Sequence, residues 1–278
     1  MSGELPADPM ACRMRIAADL RALGLRSGQD LLVHCSIKEI GPLAGGAATL
    51  LAAIGDVIGT AATLVVPTHT AGNSLTSRTF LAATTGLDAS ARARYIADLP
   101  GFDQASTPSE GMGAFAEHVR TRPGAQRSAH PQTSFAALGV GAATAMSRHD
   151  MDCHLGEQSP LGWLDDAGAA IALIGVGYSA CTAFHLAEYR LSRPVPLRRY
   201  HCFVESDGER RPYTFTDINL VDDDFELIGA ALDESSWPDA ADAPRRGRVG
   251  MADAIWLPMR GAVDFARSWM DAHRRVET

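Results

Sequence analysis

The chain has 278 residues, 46% hydrophobic and 21% charged, a balance typical of a folded protein with a large core. Its 25 basic and 33 acidic residues give a net charge of -8, which argues against a general nucleic-acid surface and favours a cationic partner. The start, MSGELPADPM, shows no signal pattern, and no apolar run approaches the roughly 18 residues that cross a bilayer, so we expect a cytoplasmic protein without membrane contact. Five scattered cysteines without CxxC spacing predict reduced thiols.

Apolar periodicity in the first quarter of the chain predicts a β-α-β unit, which builds parallel sheets covered by helices on both faces. The predicted elements are a helix over 12–24, a strand over 31–36, a helix over 47–58 and a strand over 63–67. From 69 to 109 the chain is rich in Thr, Ser, Gly and Asp, with weak periodicity. This segment is predicted to be a long loop or insertion at the carboxyl end of a strand, where α/β proteins bind ligands.

The rest of the chain continues the α/β pattern and then becomes rich in strands. We expect a helix over 110–120, a strand over 169–175 followed by a helix, a β-rich part over 197–260 with a hairpin turn at Asp207-Gly208, a helix over 222–232 and a final helix over 260–275. The predicted fold is a three-layer α/β/α sandwich around a central mixed sheet, with a smaller β-rich carboxyl-terminal portion. Residues 1–278 are predicted to form a single domain.

His185 and Glu188 lie three residues apart in GVGYSACTAFHLAEYR, where a Gly-Val-Gly turn follows an apolar run. Residues with this spacing share one side of an α-helix, so the carboxylate can reach the imidazole. A carboxylate in that position fixes the tautomer of a histidine that removes a proton near pH 7. The same spacing also occurs in ion pairs that serve only structure, so spacing alone leaves both interpretations open.

Polar clusters follow three apolar segments and could each contact a ligand. Ser36 and Lys38 follow the first strand, where free N–H groups, a hydroxyl and an ammonium can hold phosphate, although a plain turn is the simpler interpretation. His69, in PTHT, can contact a ligand or be satisfied by its neighbours. In RSAHPQTSF, Arg127 and Ser128 can grip anionic groups.

Cys181 supports a competing interpretation, because it lies four residues before His185 and near a predicted helix start, which lowers the pKa of a thiol. It would make the protein a cysteine hydrolase or amidase. The GVGYS segment is not the GxSxG of serine hydrolases, because its serine follows the second glycine. HLAE is not HExxH, and two candidate ligands are too few for a metal site, so we expect no metal.

Six segments run in order through most of the chain: LLVHCSIKEIG, TLVVPTHT, RPGAQRSAHPQTSFAALG, SPLGWL, IALIGVGYSACTAFHLAE and RRGRVGMADA. Together they resemble the aminoglycoside 3-N-acetyltransferase family, which is unrelated to the GCN5-type acetyltransferases. The resemblance implies direct transfer of the acetyl group of acetyl-CoA to the 3-amino group of a 2-deoxystreptamine antibiotic, which confers resistance. It also implies that His185 is the general base and that Glu188 orients it. The segment 69–109 matches poorly, so the antibiotic spectrum is not implied.

The family pattern also implies binding residues on both sides of the transferred group. The predicted CoA-binding residues are Ser36, Ile37, Lys38, Glu39, Ile40, Thr68, Met112, Gly113, Arg127, Ser128 and Ser134. Ser36 and Thr68 are, by position only, candidates for stabilising the thioester carbonyl. Because an aminoglycoside carries several ammonium groups, an acidic cleft would attract it. The predicted substrate residues are His69, Glu110, Asp217, Asp222 and Asp224, with Asp223 and Glu226 as further candidates; the alternative is that Asp222 to Asp224 only cap a helix.

Several alternatives stay open at this point. The nearest is an N-acyltransferase of the same fold that acts on another amine, such as a biosynthetic intermediate, since it would share every CoA-side feature. The others are the Cys181 hydrolase and a catalytically silent protein that sequesters CoA or an antibiotic. Aminoglycoside and acetyl-CoA are the expected partners; a homodimer is compatible with the sequence, which does not give the oligomeric state.

Overall fold

The computed structural model describes residues 5–237, 239 and 242–274. The strands in these residues are β1 Leu31–Cys35, β2 Thr63–Pro67, β3 Gln126–Arg127, β4 Phe135–Gly139, β5 Ala170–Ile174, β6 Leu197–Ser206, β7 Glu209–Ile218, β8 Arg245–Val249 and β9 Ala252–Pro258. The helices are α1 Pro9–Leu23, α2 Ile37–Ile40, α3 Gly46–Ile58, α4 Arg78–Thr84, α5 Ala89–Ala97, α6 Gly113–Arg120, α7 Ala142–Ser147, α8 Pro160–Asp166, α9 Phe184–Glu188, α10 Phe225–Glu234 and α11 Met259–His273. Within this described part, no helix is both long enough and apolar enough to cross a membrane.

Seven strands form a central mixed sheet in the order β3-β4-β2-β1-β5-β9-β8. β1 runs parallel to β2 and β5, and the outer pairings are antiparallel. Side chains alternate between the two faces: Leu31 and Val33 join one apolar cluster with α1, α3 and α6, whereas Leu32 joins a second with α7 to α11. The predicted three-layer α/β/α sandwich with a mixed sheet is therefore confirmed.

The signals that begin and end the first helices are local. Asp8 caps α1 by accepting a hydrogen bond from the Ala11 N–H at 2.7 Å, and Pro9 occupies the first helical position. Gly24 ends the helix at a φ of 124°, which a side chain would disfavour. The observed helix therefore ends within one residue of the predicted end but begins at Pro9, three residues before the predicted start, and the strand after it ends one residue early.

The segment 69–109 differs from the prediction, because it contains two helices, α4 and α5. Ser77 caps α4 by accepting from the Phe80 N–H at 3.1 Å, and Asp88 caps α5 by accepting from the Ala91 N–H at 2.7 Å. α5 has no buried residue, so it carries no apolar stripe for periodicity to detect. The capping residues were the available signal, and the predicted long loop or insertion contains two short helices that periodicity did not show.

The β-rich part over 197–260 divides between two sheets. β6 and β7 form a separate two-stranded sheet that turns at Asp207 (φ 56°) and Gly208 (φ 77°). This hairpin contacts the 69–109 segment through bridges from Ser74 to Cys202 and from Phe102 to Val204. β8 and β9, in contrast, complete the central sheet beside β5. The hairpin therefore extends from the main body over the segment that contains α4 and α5.

Candidate active site

A cavity of about 460 Å³ opens where β1, β2 and β5 end at their carboxyl edge, the usual ligand position in α/β folds. Its wall also includes the start of α6 and the segment that leads into α10. Six of the predicted site residues line it: Ser36, His69, Met112, Gly113, His185 and Asp222. The topology thus brings together residues that are up to 186 positions apart, as the family resemblance implied.

His185 and Glu188 form a short hydrogen-bonded pair at this cavity. The His185 Nδ1 lies 2.6 Å from Glu188 Oε2, and the side chains are 13% and 1% exposed. Because a carboxylate can only accept, Nδ1 carries the proton and Nε2 keeps its lone pair. The Phe225 ring, 4.7 Å from the imidazole between centroids, packs against it. The helix that carries the pair spans five residues, Phe184–Glu188, and follows a 3₁₀ turn rather than starting at the glycines.

Arg274 holds the far side of Glu188, and sequence reasoning missed it. Its Nη1 donates to Glu188 Oε1 at 2.6 Å, and the Val221 N–H donates to the same oxygen at 2.9 Å. The guanidinium also binds Asp224 through two hydrogen bonds of 2.7 Å. Arg274 follows the last helix and belongs to no recognisable motif, so the sequence carries no signal for this contact.

His34 and His69 face the cavity from the ends of two neighbouring strands. The Nε2 of each ring is buried and has no hydrogen-bond partner among the residues that the structure describes. Burial lowers the pKa of His34 to about 4 and that of His69 to about 3, so both rings are neutral near pH 7. His34 was not predicted as a site residue, although it lies beside Ser36 in LLVHCS. Neutral imidazoles with a free nitrogen can donate or accept a hydrogen bond from a ligand.

Arg127, Ser134 and Thr68 lie behind the cavity wall in a buried network. Arg127 donates from Nε to Ser134 Oγ at 3.1 Å and from Nη2 to the Thr68 carbonyl at 3.0 Å, and its Nη1 donates to the Thr107 carbonyl at 2.5 Å. Burial lowers the pKa of Arg127 to about 10. Ser128 is also fully buried, and its hydroxyl accepts from the Phe135 N–H at 2.8 Å. Thr68 Oγ1 lies 3.1 Å from Ser134 Oγ, so all four side chains are engaged within the protein and none lines the cavity, and their predicted contact with CoA stays a prediction.

Of the predicted CoA-binding residues from Ser36 to Ile40, some line the cavity and others lie away from it. Ser36 lines the cavity, whereas the Ile40 side chain is fully buried in the core and Ile37 packs against that core. Lys38 and Glu39 are exposed, and Glu39 lines a second, neighbouring cavity. Only Ser36 of this stretch contributes a side chain to the candidate active site.

The predicted acidic residues occupy different environments. Asp222 lines the cavity and pairs with Arg78 at 2.5 Å, whereas Asp224 is bound to Arg274 and makes no side-chain cap to α10. Asp217 is 8% exposed and accepts from the Tyr189 hydroxyl at 2.6 Å and the His154 N–H at 2.7 Å, so its side chain is bound within the protein and does not line the cavity. In addition, three carboxylates lie off the cavity wall: Glu110 accepts from the Gly72 N–H, Asp223 is 81% exposed and Glu226 accepts from the Ser179 N–H.

The Cys181 thiol does not have the environment of a nucleophile. It is fully buried, and burial raises its pKa to about 12. Its position just after the 3₁₀ turn Tyr178–Ala180, ahead of α9, does not supply the predicted helix start. The thiol is therefore protonated near pH 7, which argues against a cysteine hydrolase.

The α/β/α architecture places an imidazole that a carboxylate holds at a cleft over the strand ends, an arrangement typical of α/β enzymes. The profile of the aminoglycoside 3-N-acetyltransferase family matches residues 32–271. The chain belongs to this family, so the resemblance inferred from the sequence is confirmed.

Relatives support the same assignment across the whole chain. Aminoglycoside N(3)-acetyltransferase VII of Streptomyces paromomycinus is 34% identical over 95% of this chain and 93% of its own length. The structure of AAC-IIIb as a binary complex with CoASH has a TM-score of 0.80 and 25% identity, covering 96% of this chain and 98% of that one. The structure of AAC-VIa bound to sisomicin has a TM-score of 0.79 and 29% identity, covering 94% and 97%. The residues matched by the family profile, 32–271, include every residue that lines the cavity.

Proposed function

We propose that the protein transfers the acetyl group of acetyl-CoA to the 3-amino group of a 2-deoxystreptamine aminoglycoside and thereby confers resistance. The observation that carries the proposal is the His185–Glu188 pair, with Nδ1 and Oε2 2.6 Å apart, at a cavity over the strand ends. Membership of the family and the relatives that bind CoASH and sisomicin support both substrates.

His185 acts as the general base in this reaction. An ammonium has no lone pair, so the substrate amine must lose a proton before it attacks the thioester carbon. Nε2 of His185 accepts that proton directly or through water, and Glu188 holds the ring and stabilises the imidazolium. The new C–N bond forms as the C–S bond breaks and the nitrogen loses its second proton. Of the two protons that the ammonium gives up, the departing CoA thiolate takes one and solvent takes the other. No covalent enzyme intermediate is required.

The cavity residues divide between the two substrates. Ser36, Met112 and Gly113 lie on the wall where acetyl-CoA is proposed to bind, and Ser36 is the candidate that can reach the thioester carbonyl. Thr68 is a poorer candidate, because its side chain is fully buried and 3.1 Å from Ser134 Oγ. On the amine side, Asp222 supplies a carboxylate to the cavity, and the net charge of -8 attracts a polycation.

Thiol release from acetyl-CoA in the presence of gentamicin, tobramycin, kanamycin, neomycin and apramycin tests this proposal. We expect turnover with at least one of them and a product whose NMR spectrum shows acetylation of the 3-amine. His185→Gln should lower turnover by roughly 10²–10⁴-fold, the usual contribution of a general base, while acetyl-CoA still binds. Acetyl-CoA binding without turnover of any aminoglycoside would instead assign the site to another amine, and full activity of His185→Gln would remove His185 from the mechanism.

A further inference from the structure

The Arg274 side chain joins two parts of the candidate site that are distant in sequence. It is 15% exposed and binds Glu188 on α9, Asp224 before α10 and the Val221 carbonyl, the last at 2.8 Å. Because its backbone N–H also donates to the Met270 carbonyl at 3.0 Å, the residue is fixed to the end of α11. The guanidinium is therefore held rigidly between the catalytic pair and the segment 221–224.

The segment 221–224 forms part of the cavity wall. Asp222 lines the cavity, and Phe225, which follows the segment directly, packs against the His185 ring. The two hydrogen bonds from Arg274 to Asp224 match the planar geometry of a guanidinium and a carboxylate. A lysine could supply the charge at this position but not both bonds.

The charges around Glu188 show a second effect of Arg274. With a neutral His185, the group of Glu188, Asp224 and Arg274 carries a net charge of -1, and uptake of a proton by His185 brings it to zero. Without Arg274, the corresponding values are -2 and -1. A proton on the His185–Glu188 pair would then be held more tightly, whichever of the two groups carries it.

We propose that Arg274 is a positioning residue for the acetyl transfer: it fixes Glu188 against His185, holds the segment 221–224 at the cavity, and places a positive charge beside the pair, 2.6 Å from the Glu188 carboxylate. This role rests on the proposed function of the pair. Arg274 contacts neither the cavity nor a reacting atom, so it acts through Glu188 and Asp224.

Other ionisable groups near His185 and Glu188 can also affect a pH profile of the reaction. Those that face the pair from the neighbouring elements are Asp222 and Asp224 before α10, His34 and His69 at the strand ends, His154, and Tyr200 on β6. None of these groups is altered in the variants compared below.

Arg274→Met and Arg274→Lys separate the two effects. For Arg274→Met we expect kcat to fall by roughly 10–100-fold and the acid limb of the kcat/KM profile to move to higher pH, by roughly tenfold in proton affinity. Arg274→Lys keeps the charge, so its acid limb should stay near that of the wild type. It loses the paired bonds to Asp224, so the KM for the amine should rise severalfold.

Arg120→Met is the matched control for a merely structural role. Arg120 is 8% exposed and makes the same kind of paired contact, to Glu117 at 2.6 and 2.9 Å, on α6 away from the cavity. The Arg120→Met substitution should lower the melting temperature without moving the acid limb of the kcat/KM profile. If Arg274→Met does no more than Arg120→Met, or if Arg274→Lys moves the acid limb as far as Arg274→Met, the proposal is wrong.

An NMR titration of the His185 ring gives a readout that needs no activity. The His185→Gln spectrum identifies the resonance among the nine histidines of the chain. We expect the titration midpoint to move to higher pH in Arg274→Met, even if the wild type acetylates no aminoglycoside, in which case only the proposed substrate would fail. An unchanged midpoint in folded Arg274→Met would overturn the electrostatic role of Arg274.

Discussion

Two histidine–carboxylate pairs in this fold differ in what the second ring nitrogen contacts. In the first, His185 Nδ1 lies 2.6 Å from Glu188, and the ring lines the cavity. In the second, His154 Nδ1 lies 3.1 Å from Asp217, and its Nε2 lies 3.1 Å from Gln132 Oε1. Both carboxylates are buried. The same chemical pair can therefore face a substrate in one place and serve only packing in the other, depending on the neighbour of the second nitrogen.

The surroundings of the two pairs differ as well. His154 belongs to a buried cluster with His130 and His149, in which His130 has its ring centroid 4.8 Å from each of the other two. Burial lowers the pKa of all three rings, although Asp217 partly opposes this for His154. This cluster lies under the β6–β7 hairpin, against Phe215 and Tyr200. Asp217 is the carboxylate that contacts this cluster, and both nitrogens of the His154 ring are engaged, whereas the ring that contacts Glu188 lines the cavity.

The largest expected effect comes from removing the charge at the cavity pair. Glu188→Gln keeps the shape of the side chain, but its amide cannot stabilise the imidazolium and can favour the wrong tautomer. We expect kcat to fall by roughly 10²–10⁴-fold, measured by thiol release at saturating substrates.

Asp217→Asn is the matched change in the other pair. It weakens buried charge-assisted hydrogen bonds from Tyr189 and His154, so the free energy of unfolding should fall by about 1–3 kcal/mol in urea. Turnover of the folded fraction should stay close to that of the wild type. A loss of turnover comparable to that of Glu188→Gln, with the protein folded, would restore Asp217 as a substrate residue and refute the contrast.

Much of the fold was predictable because its signals are local. The buried strands β1, β2 and β5 are continuous apolar runs, and the caps of α1 lie in the adjacent sequence. The segment 69–109 was not predictable in this way, because α5 buries none of its residues fully and is capped by Asp88 at its start. Hydrophobic periodicity does not detect short capped helices that lack an apolar face.

The candidate site was predictable where one turn of helix carries it and unpredictable where tertiary contacts do. The spacing of His185 and Glu188 is a local signal, and it matches the observed pair. Arg274 lies 86 positions from Glu188, so only folding brings the two together. Arg127 illustrates the opposite error: a basic residue in a polar segment suggests phosphate binding, but its donors are used by the protein.

Acid should weaken the buried histidine cluster, an intermediate effect. Burial lowers the pKa of His149 from 6.5 to about 4. Above pH 6.5 its ring is neutral both folded and unfolded, and as the pH falls towards 4 only the unfolded chain takes up the proton. His149 should therefore cost about 2 kcal/mol of stability between pH 7.5 and pH 5, measured by urea unfolding at both values.

His149→Gln removes this titration and should reduce the loss on acidification by about that amount, whatever its effect at pH 7.5. His273→Gln, a change at an exposed ring, is the control and should leave the loss unchanged. An equal loss in the wild type and His149→Gln would show that His149 is not kept neutral by the fold.

The smallest expected effect concerns the acidic residue on the amine side of the cavity. Asp222 is 38% exposed and shares its charge with Arg78, 2.5 Å away, so a cationic substrate must compete with that ion pair. Asp222→Asn should raise the KM for an aminoglycoside roughly threefold to tenfold with little change in kcat. Arg78→Gln should lower that KM, because it removes the cation that competes for Asp222. Both effects should be small, because exposed ion pairs contribute about 1 kcal/mol or less. The control is Asp223→Asn, since Asp223 also pairs with Arg78, at 3.6 Å, but is 81% exposed and off the cavity wall. Equal increases for the two aspartates, both abolished by added salt, would mean that the general negative field attracts the substrate and that Asp222 makes no specific contact.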